Sequence, residues 1–170
     1  MAQDEDASLI VVMGVSGSGK TTVGQSLAQS LGVPFAEADD FHSPGNVAKM
    51  RAGIPLDDED RAPWLDAIAK WLLEHGRQGG VITCSALKRC YRERLVSASP
   101  SVFFIHLHGS AKLIAERMAA RRGHFMPVSL LQSQLDALEP LAAGEQGALI
   151  PISGTVDETT QLALAAVQQG

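Results

Sequence analysis

Aromatic side chains are scarce, at 5% of 170 residues, so a core must be built mainly from aliphatic side chains and alanine. There are two cysteines, Cys84 and Cys90, without the Cys-x-x-Cys spacing of a metal site. Two cysteines are also too few for a disulfide framework, and a reduced intracellular setting is expected. Positive charge is short as well. Fourteen basic residues face 19 acidic ones, and the net charge of -5 argues against a general nucleic-acid-binding surface. No apolar run approaches the roughly 20 residues needed to cross a membrane. The segment Met1–Ser8 is polar and acidic, unlike a signal or transit peptide, and is expected to be a flexible N-terminus. The expected location is the cytoplasm, with neither nucleic acid nor membrane as partner.

What remains is enough for one domain over residues 9–170. Leu9 to Met13 is apolar without alternation, which predicts a strand covered on both faces. Lys20 to Leu31 carries Val23, Leu27 and Leu31 at helical spacing, with Gly32 as its stop. Further strands are expected at Val33–Ala36, Gly80–Cys84, Val102–Leu107 and Ala148–Ile152. Helices are expected at Asn46–Arg51, at Arg61–His75 with Asp60 as N-cap, and at Leu87–Val96. Three more are expected at Ser110–Ala120, Val128–Leu138 and Val156–Gln168. Strands alternating with helices predict a three-layer α/β domain on a mainly parallel, five-stranded sheet. Two polar interruptions, 40–62 and 121–127, are the candidates for a substrate-covering region and a lid.

The first strand runs into Gly14-Val15-Ser16-Gly17-Ser18-Gly19-Lys20-Thr21, a complete phosphate-loop pattern in its proper strand–loop–helix setting. Such a loop turns successive backbone N–H groups toward a phosphate chain, and glycine reaches the dihedrals this needs. The following helix adds its positive end. Lys20 then reaches the outer phosphates, and Thr21 offers its hydroxyl to Mg²⁺. Thr22 is counted with the nucleotide site, although its place is on the helix. A guanine-reading Asn-Lys-x-Asp is absent, which argues against a GTPase.

Glu37, Asp39 and Asp40 follow the second strand, where ligand crevices of parallel sheets form. Asp39 is the first candidate to orient or deprotonate an acceptor hydroxyl, and Glu37 reads as a surface acid. His42, three residues on, could hydrogen-bond a sugar hydroxyl or a carboxylate. Arg117, Arg121, Arg122 and His124 form a basic cluster in an acidic chain. Arginine forks suit the charge that spreads over a transferring phosphoryl group.

Together with the phosphate loop, six further segments carry a resemblance. They are Asp39-Asp40-Phe41-His42, Asn46-Val47-Ala48-Lys49-Met50, Gly53 to Leu65, Cys84 to Arg92, Arg121 to Phe125 and Gln132 to Pro140. The combination resembles the gluconate kinase (gluconokinase) family of small P-loop kinases, related in architecture to shikimate and nucleoside monophosphate kinases. The resemblance implies a P-loop NTPase fold with a helical substrate region and a lid at about 121–140. It implies transfer of the ATP γ-phosphoryl group to the 6-hydroxyl of D-gluconate, with Mg²⁺, in a homodimer. It makes Lys20, Asp39, Arg117 and Arg121 catalytic candidates. It makes Asp39, His42, Lys49, Arg61, Ser85, Lys88 and His124 candidates for the substrate, and Ser153 and Gly154 a border for adenine. Many members have proline after this histidine, whereas His42 is followed by Ser43. Asp57 stands where many have asparagine, and is read as structural. A kinase for another hydroxy acid such as shikimate, or a nucleotide-binding protein without catalysis, are the alternatives.

Overall fold

A computed structural model describes residues 8–120 and 128–169. Five parallel strands form one sheet: β1 (Leu9–Met13), β2 (Phe35–Glu37), β3 (Gly80–Thr83), β4 (Phe103–His108) and β5 (Gly147–Pro151), in the order β2-β3-β1-β4-β5. The helices are α1 (Lys20–Leu31), α2 (Pro44–Arg51), α3 (Asp58–Glu74), α4 (Arg89–Ala98), α5 (Ala111–Ala120), α6 (Val128–Ala137) and α7 (Val156–Gln169). A 3-10 turn spans Ala38–Phe41. The expected three-layer fold with a parallel five-stranded sheet is thus observed.

The central strand explains the layers. Every residue of β1 is buried, yet neighbours point to opposite faces. Leu9, Val11 and Met13 enter one core with Trp64, Ile68 and Leu72 of α3 and Leu95 of α4. Ile10 and Val12 enter the other with Val23 and Leu27 of α1, Ile114 of α5, Leu131 of α6 and Ala163 of α7. Both faces are apolar, which is why the sequence of this strand shows no alternation.

Several boundaries differ from expectation for local reasons. The N-cap of α3 is Asp57, not Asp60. Asp57 accepts from the Asp60 N–H at 2.7 Å, and Asp60 accepts from the Asp57 N–H at 3.1 Å, a reciprocal capping box. Helix α2 begins at Pro44 because Ser43 caps it, its hydroxyl oxygen accepting from the Asn46 N–H at 3.1 Å. The departure from His-Pro is therefore accommodated by moving proline to the first helical position. Helix α4 starts at Arg89 rather than Leu87, because Ser85 to Lys88 form a non-helical segment in which Ala86 has φ of 43°.

Candidate active site

Three loops meet at the carboxyl edge of the sheet. Because β3 lies between β2 and β1, the segments leaving these strands are neighbours there. The phosphate loop follows β1, the turn bearing Asp39 follows β2, and Ser85 to Lys88 follow β3. The Gly14 N–H donates to the Ser85 carbonyl at 3.3 Å, tying the first loop to the third.

Glycine is required in the phosphate loop on two counts. Gly14, Gly17 and Gly19 have φ of 144°, 82° and 94°, where other residues are strained. A Cβ would also stand 2.7 Å from the Leu107 carbonyl at Gly14, and 2.5 Å from the Met118 side chain at Gly17. The Ser18 N–H closes a turn on the Val15 carbonyl at 3.3 Å. Lys20 donates to the carbonyls of Gly14 at 2.9 Å and Val15 at 3.3 Å, so its ammonium lies along the loop. Thr22 is exposed on α1.

Glu37 departs from the surface role expected of it. It is half-buried, and its carboxylate accepts a hydrogen bond from the Thr21 hydroxyl. The phosphate-loop threonine and the last residue of β2 thus form one cluster of hard oxygens. Among the described residues, no group of three or more His, Cys, Asp and Glu side chains could hold a metal ion.

Beside the phosphate loop is a cavity of about 70 Å³. Ser16 and Lys20 line it from the phosphate loop, and Asp39, His42, Arg61 and Ser85 from the segments around it. Six sequence-derived candidates therefore share one wall. Trp64, Leu56, Pro55, Met50 and Leu87 supply apolar surface, and Ser133 and Gln134 of α6 complete the lining among the described residues.

Several groups of this cavity are held by neighbours. The Trp64 indole N–H donates to the Ala38 carbonyl at 2.6 Å, fixing α3 to the turn that carries Asp39. His42 stacks on Trp64, with ring centroids 4.3 Å apart and planes 11° from parallel. The Asn46 amide nitrogen lies 3.3 Å from His42 Nδ1 and donates to the Asp60 carbonyl at 2.9 Å. An amide donor at Nδ1 leaves the ring proton on Nε2. Burial lowers the His42 pKa, opposed by Asp39 and assisted by Arg61. His42 is thus a neutral N–H donor, suited to a hydroxyl or carboxylate oxygen. Arg61 donates to the Leu56 carbonyl at 2.6 Å and the Tyr91 hydroxyl at 3.2 Å, with its guanidinium carbon 5.5 Å from the Tyr91 ring centroid.

Other expected residues lie elsewhere. Lys49 is not in the cavity wall but bonded to both carboxylate oxygens of Asp60 at 2.9 Å. Lys88 is likewise outside the wall, 3.2 Å from Asp58, which also accepts from the Tyr91 hydroxyl. These bonds raise both lysine pKa values and lower those of Asp58 and Asp60. Arg117 donates to the Ile152 carbonyl at 2.5 Å. It is tethered beside Ser153 and Gly154 in the β5–α7 loop, not in the cavity. Arg121, Arg122 and His124 lie outside the described residues.

Four contributors carry no clear signal in the sequence. Glu37 reads as one acid among several, Asn46 as a helix residue and Trp64 as a core residue. Gln134 falls in a recognised segment without chemistry of its own.

The comparisons agree with this geometry. A family model described as an AAA domain matches residues 9–141. The gluconokinase of Gluconobacter oxydans (strain 621H) is 50% identical over 147 residues, covering 85% of this chain and 82% of the relative. The crystal structure of a gluconokinase from Sinorhizobium meliloti 1021 superposes with a TM-score of 0.90 at 46% identity, covering 96% of this chain and 93% of the other. An unliganded sugar kinase from Janibacter sp. HTCC2649 superposes with a TM-score of 0.91 at 49% identity, covering 95% of each chain. By identity, coverage and fold alike, the chain belongs to the gluconokinase family.

Proposed function

We propose that the chain transfers the γ-phosphoryl group of ATP to the 6-hydroxyl of D-gluconate, giving ADP and 6-phospho-D-gluconate. One observation carries this reading: Ser16 and Lys20 of the phosphate loop line the same cavity as Asp39, His42 and Arg61. A phosphate-binding wall and an acceptor-binding wall thus face one space, as direct transfer demands.

The phosphate loop, Gly14 to Thr21, holds the triphosphate through its N–H groups and the ammonium of Lys20. Asp39 accepts the hydrogen bond of the acceptor hydroxyl. As the hydroxyl oxygen bonds to the γ-phosphorus and the bridging bond to ADP breaks, the hydroxyl proton passes to the Asp39 carboxylate. His42 and Arg61 donate to the hydroxyls and carboxylate of gluconate, and Ser85 adds a hydroxyl. Trp64 excludes water behind His42. Lys49 and Lys88 hold the acidic start of α3, and act on the acceptor through that helix. Arg117 steadies the Ser153–Gly154 loop beside the nucleotide. Arg121 and His124 belong to the lid of this reading, with Arg121 as a transition-state arginine.

Mg²⁺ fits the donor set. It prefers oxygen ligands, keeps several waters and relies on phosphate oxygens with one or two protein groups. Thr21 and the neighbouring Glu37 carboxylate would hold it, and bound there it would neutralise charge on the β- and γ-phosphates. A cytoplasmic homodimer, without nucleic acid or membrane as partner, completes the reading and rests on family likeness. Among the described residues, no helix is long and apolar enough to cross a membrane.

The test is ADP formation from ATP over a panel of gluconate, shikimate, glycerate, nucleoside monophosphates and no acceptor. Gluconate should stand well above the rest. Equal turnover without any acceptor sinks the reading.

A further inference from the structure

Gln134 occupies a phosphate-loop donor. Its side-chain carbonyl Oε1 accepts the Ser16 N–H at 2.7 Å, and its Nε2 lies 3.3 Å from the Ser16 hydroxyl. This is a two-point clasp between α6 and a residue that belongs to the phosphate loop and also lines the acceptor cavity. In a phosphate loop such an N–H is a ligand for phosphate oxygen. The amide oxygen of Gln134 therefore stands where a phosphate oxygen would be held, on the side of the loop that faces Asp39 and His42.

The helix that carries Gln134 is anchored. Leu131 is 5% exposed within the core, and Leu135 packs against the same cluster. Beyond the helix, the Glu139 N–H donates to the Leu87 carbonyl at 2.7 Å. With Leu131 in the core and Glu139 tied to Leu87, the backbone on either side of Gln134 is held, so a phosphate that claims the Ser16 N–H displaces the Gln134 side chain rather than the helix. A carboxamide that gives up its acceptor contact still has two N–H donors, and it remains at the junction of the phosphate and acceptor walls.

We propose that Gln134 is a catalytic residue of the phosphoryl transfer. Its carbonyl satisfies the Ser16 N–H in the ligand-free protein and yields it to the γ-phosphoryl group. Its Nε2 then donates to an equatorial oxygen of that group during transfer. Hydrogen bonds aimed at the transferring group act on the rate more than on the binding of ADP, which lacks that group. This assignment rests on the proposed gluconate kinase activity.

Two variants of the full-length protein test it. Gln134→Glu keeps an oxygen for the Ser16 N–H, loses the Nε2 donors and brings negative charge to the phosphoryl group. Gln134→Met keeps the length and removes both functions. The parent is first assayed for gluconate-dependent ADP formation, and failure there overturns the activity itself, not the role of Gln134. Given that activity, both variants should lose at least about tenfold in kcat, with Glu the worse, while ADP affinity by calorimetry stays within about threefold. Turnover of either variant within about threefold of the parent overturns the proposal. So does a rise in ATP affinity at unchanged kcat in Gln134→Met, because Gln134 would then be only a competitor for the loop. Loss of ADP binding or of cooperative melting in both variants also overturns it, in favour of a purely structural clasp.

Discussion

Arg92 and Glu145 form a bidentate ion pair, with Nε to Oε1 at 2.7 Å and Nη2 to Oε2 at 3.1 Å, and their side chains are 0% and 10% exposed. The same guanidinium donates to the carbonyl of Ala86 at 2.8 Å and that of Pro140 at 3.3 Å. Ala86 holds a left-handed φ of 43°, which costs about 1–3 kcal/mol unless its surroundings impose it. Arg92 thus pins the segment that presents Ser85 and Leu87 to the cavity, and joins it to the chain beyond α6. Burial would raise the Glu145 pKa, but the Arg92 bonds and the Ala142 N–H outweigh it and hold it below the usual carboxylate range. Breaking this pair from one side leaves an unpaired buried charge. Glu145→Ala and Arg92→Met should each cost about 3–5 kcal/mol in urea unfolding, and the double variant less than their sum. Single losses under 1 kcal/mol would contradict a pair that sustains the loop.

Among the described residues, Asp39 is the only carboxylate in the wall of the cavity. A positioned base contributes about 10²–10⁴ to rate. Asp39→Asn keeps the size and loses the proton acceptor, so kcat should fall by about 100-fold or more while ATP affinity survives. Turnover near that of the parent would remove Asp39 from the chemistry.

His42 gives a pH dependence. Its pKa in the folded protein lies below the ordinary 6.5, chiefly through burial. The unfolded chain therefore binds the proton more readily than the folded one. The stability associated with neutral His42 is complete above 6.5 and declines as pH falls through the folded value. Protonation would also place a donor at Nδ1, against the Asn46 amide. His42→Gln should flatten the loss of melting temperature between about pH 7 and 5, and raise KM for gluconate at neutral pH. An unchanged melting profile in the variant would show that another group sets the decline.

Glu37 accepts the Thr21 hydroxyl, so it orients the oxygen assigned to Mg²⁺. Partners that orient a ligand typically alter metal affinity by about 10–100-fold. Glu37→Gln should raise the Mg²⁺ concentration needed for half-maximal turnover by about tenfold, with kcat at saturating Mg²⁺ less affected. A Mg²⁺ dependence identical to that of the parent would leave Glu37 with a packing role only.

Much of this protein follows from sequence by itself. The phosphate loop is legible because its glycines answer a local backbone demand, φ near 144°, 82° and 94°, that only glycine meets freely. The five strands are legible because apolar runs bounded by turns need no distant partner to be recognised, and their alternation with helices implies the parallel sheet. Asp39, His42, Arg61 and Ser85 are legible as site residues because resemblance places them in recognised segments. Tertiary structure decided what each side chain faces. Lys49 and Lys88 are cations near the site in sequence, but Asp60 and Asp58, brought alongside by folding, pair with them. Glu37 becomes part of the phosphate-loop cluster only because β2 ends beside Thr21, 16 residues away in the chain. The clasp of Gln134 on Ser16 spans 118 residues. Backbone propensity and hydrophobic pattern act over a few residues and are written locally. Charge pairing and hydrogen bonding depend on which surfaces the fold brings within about 3 Å, and that is set only when the sheet and its helices have closed on one another.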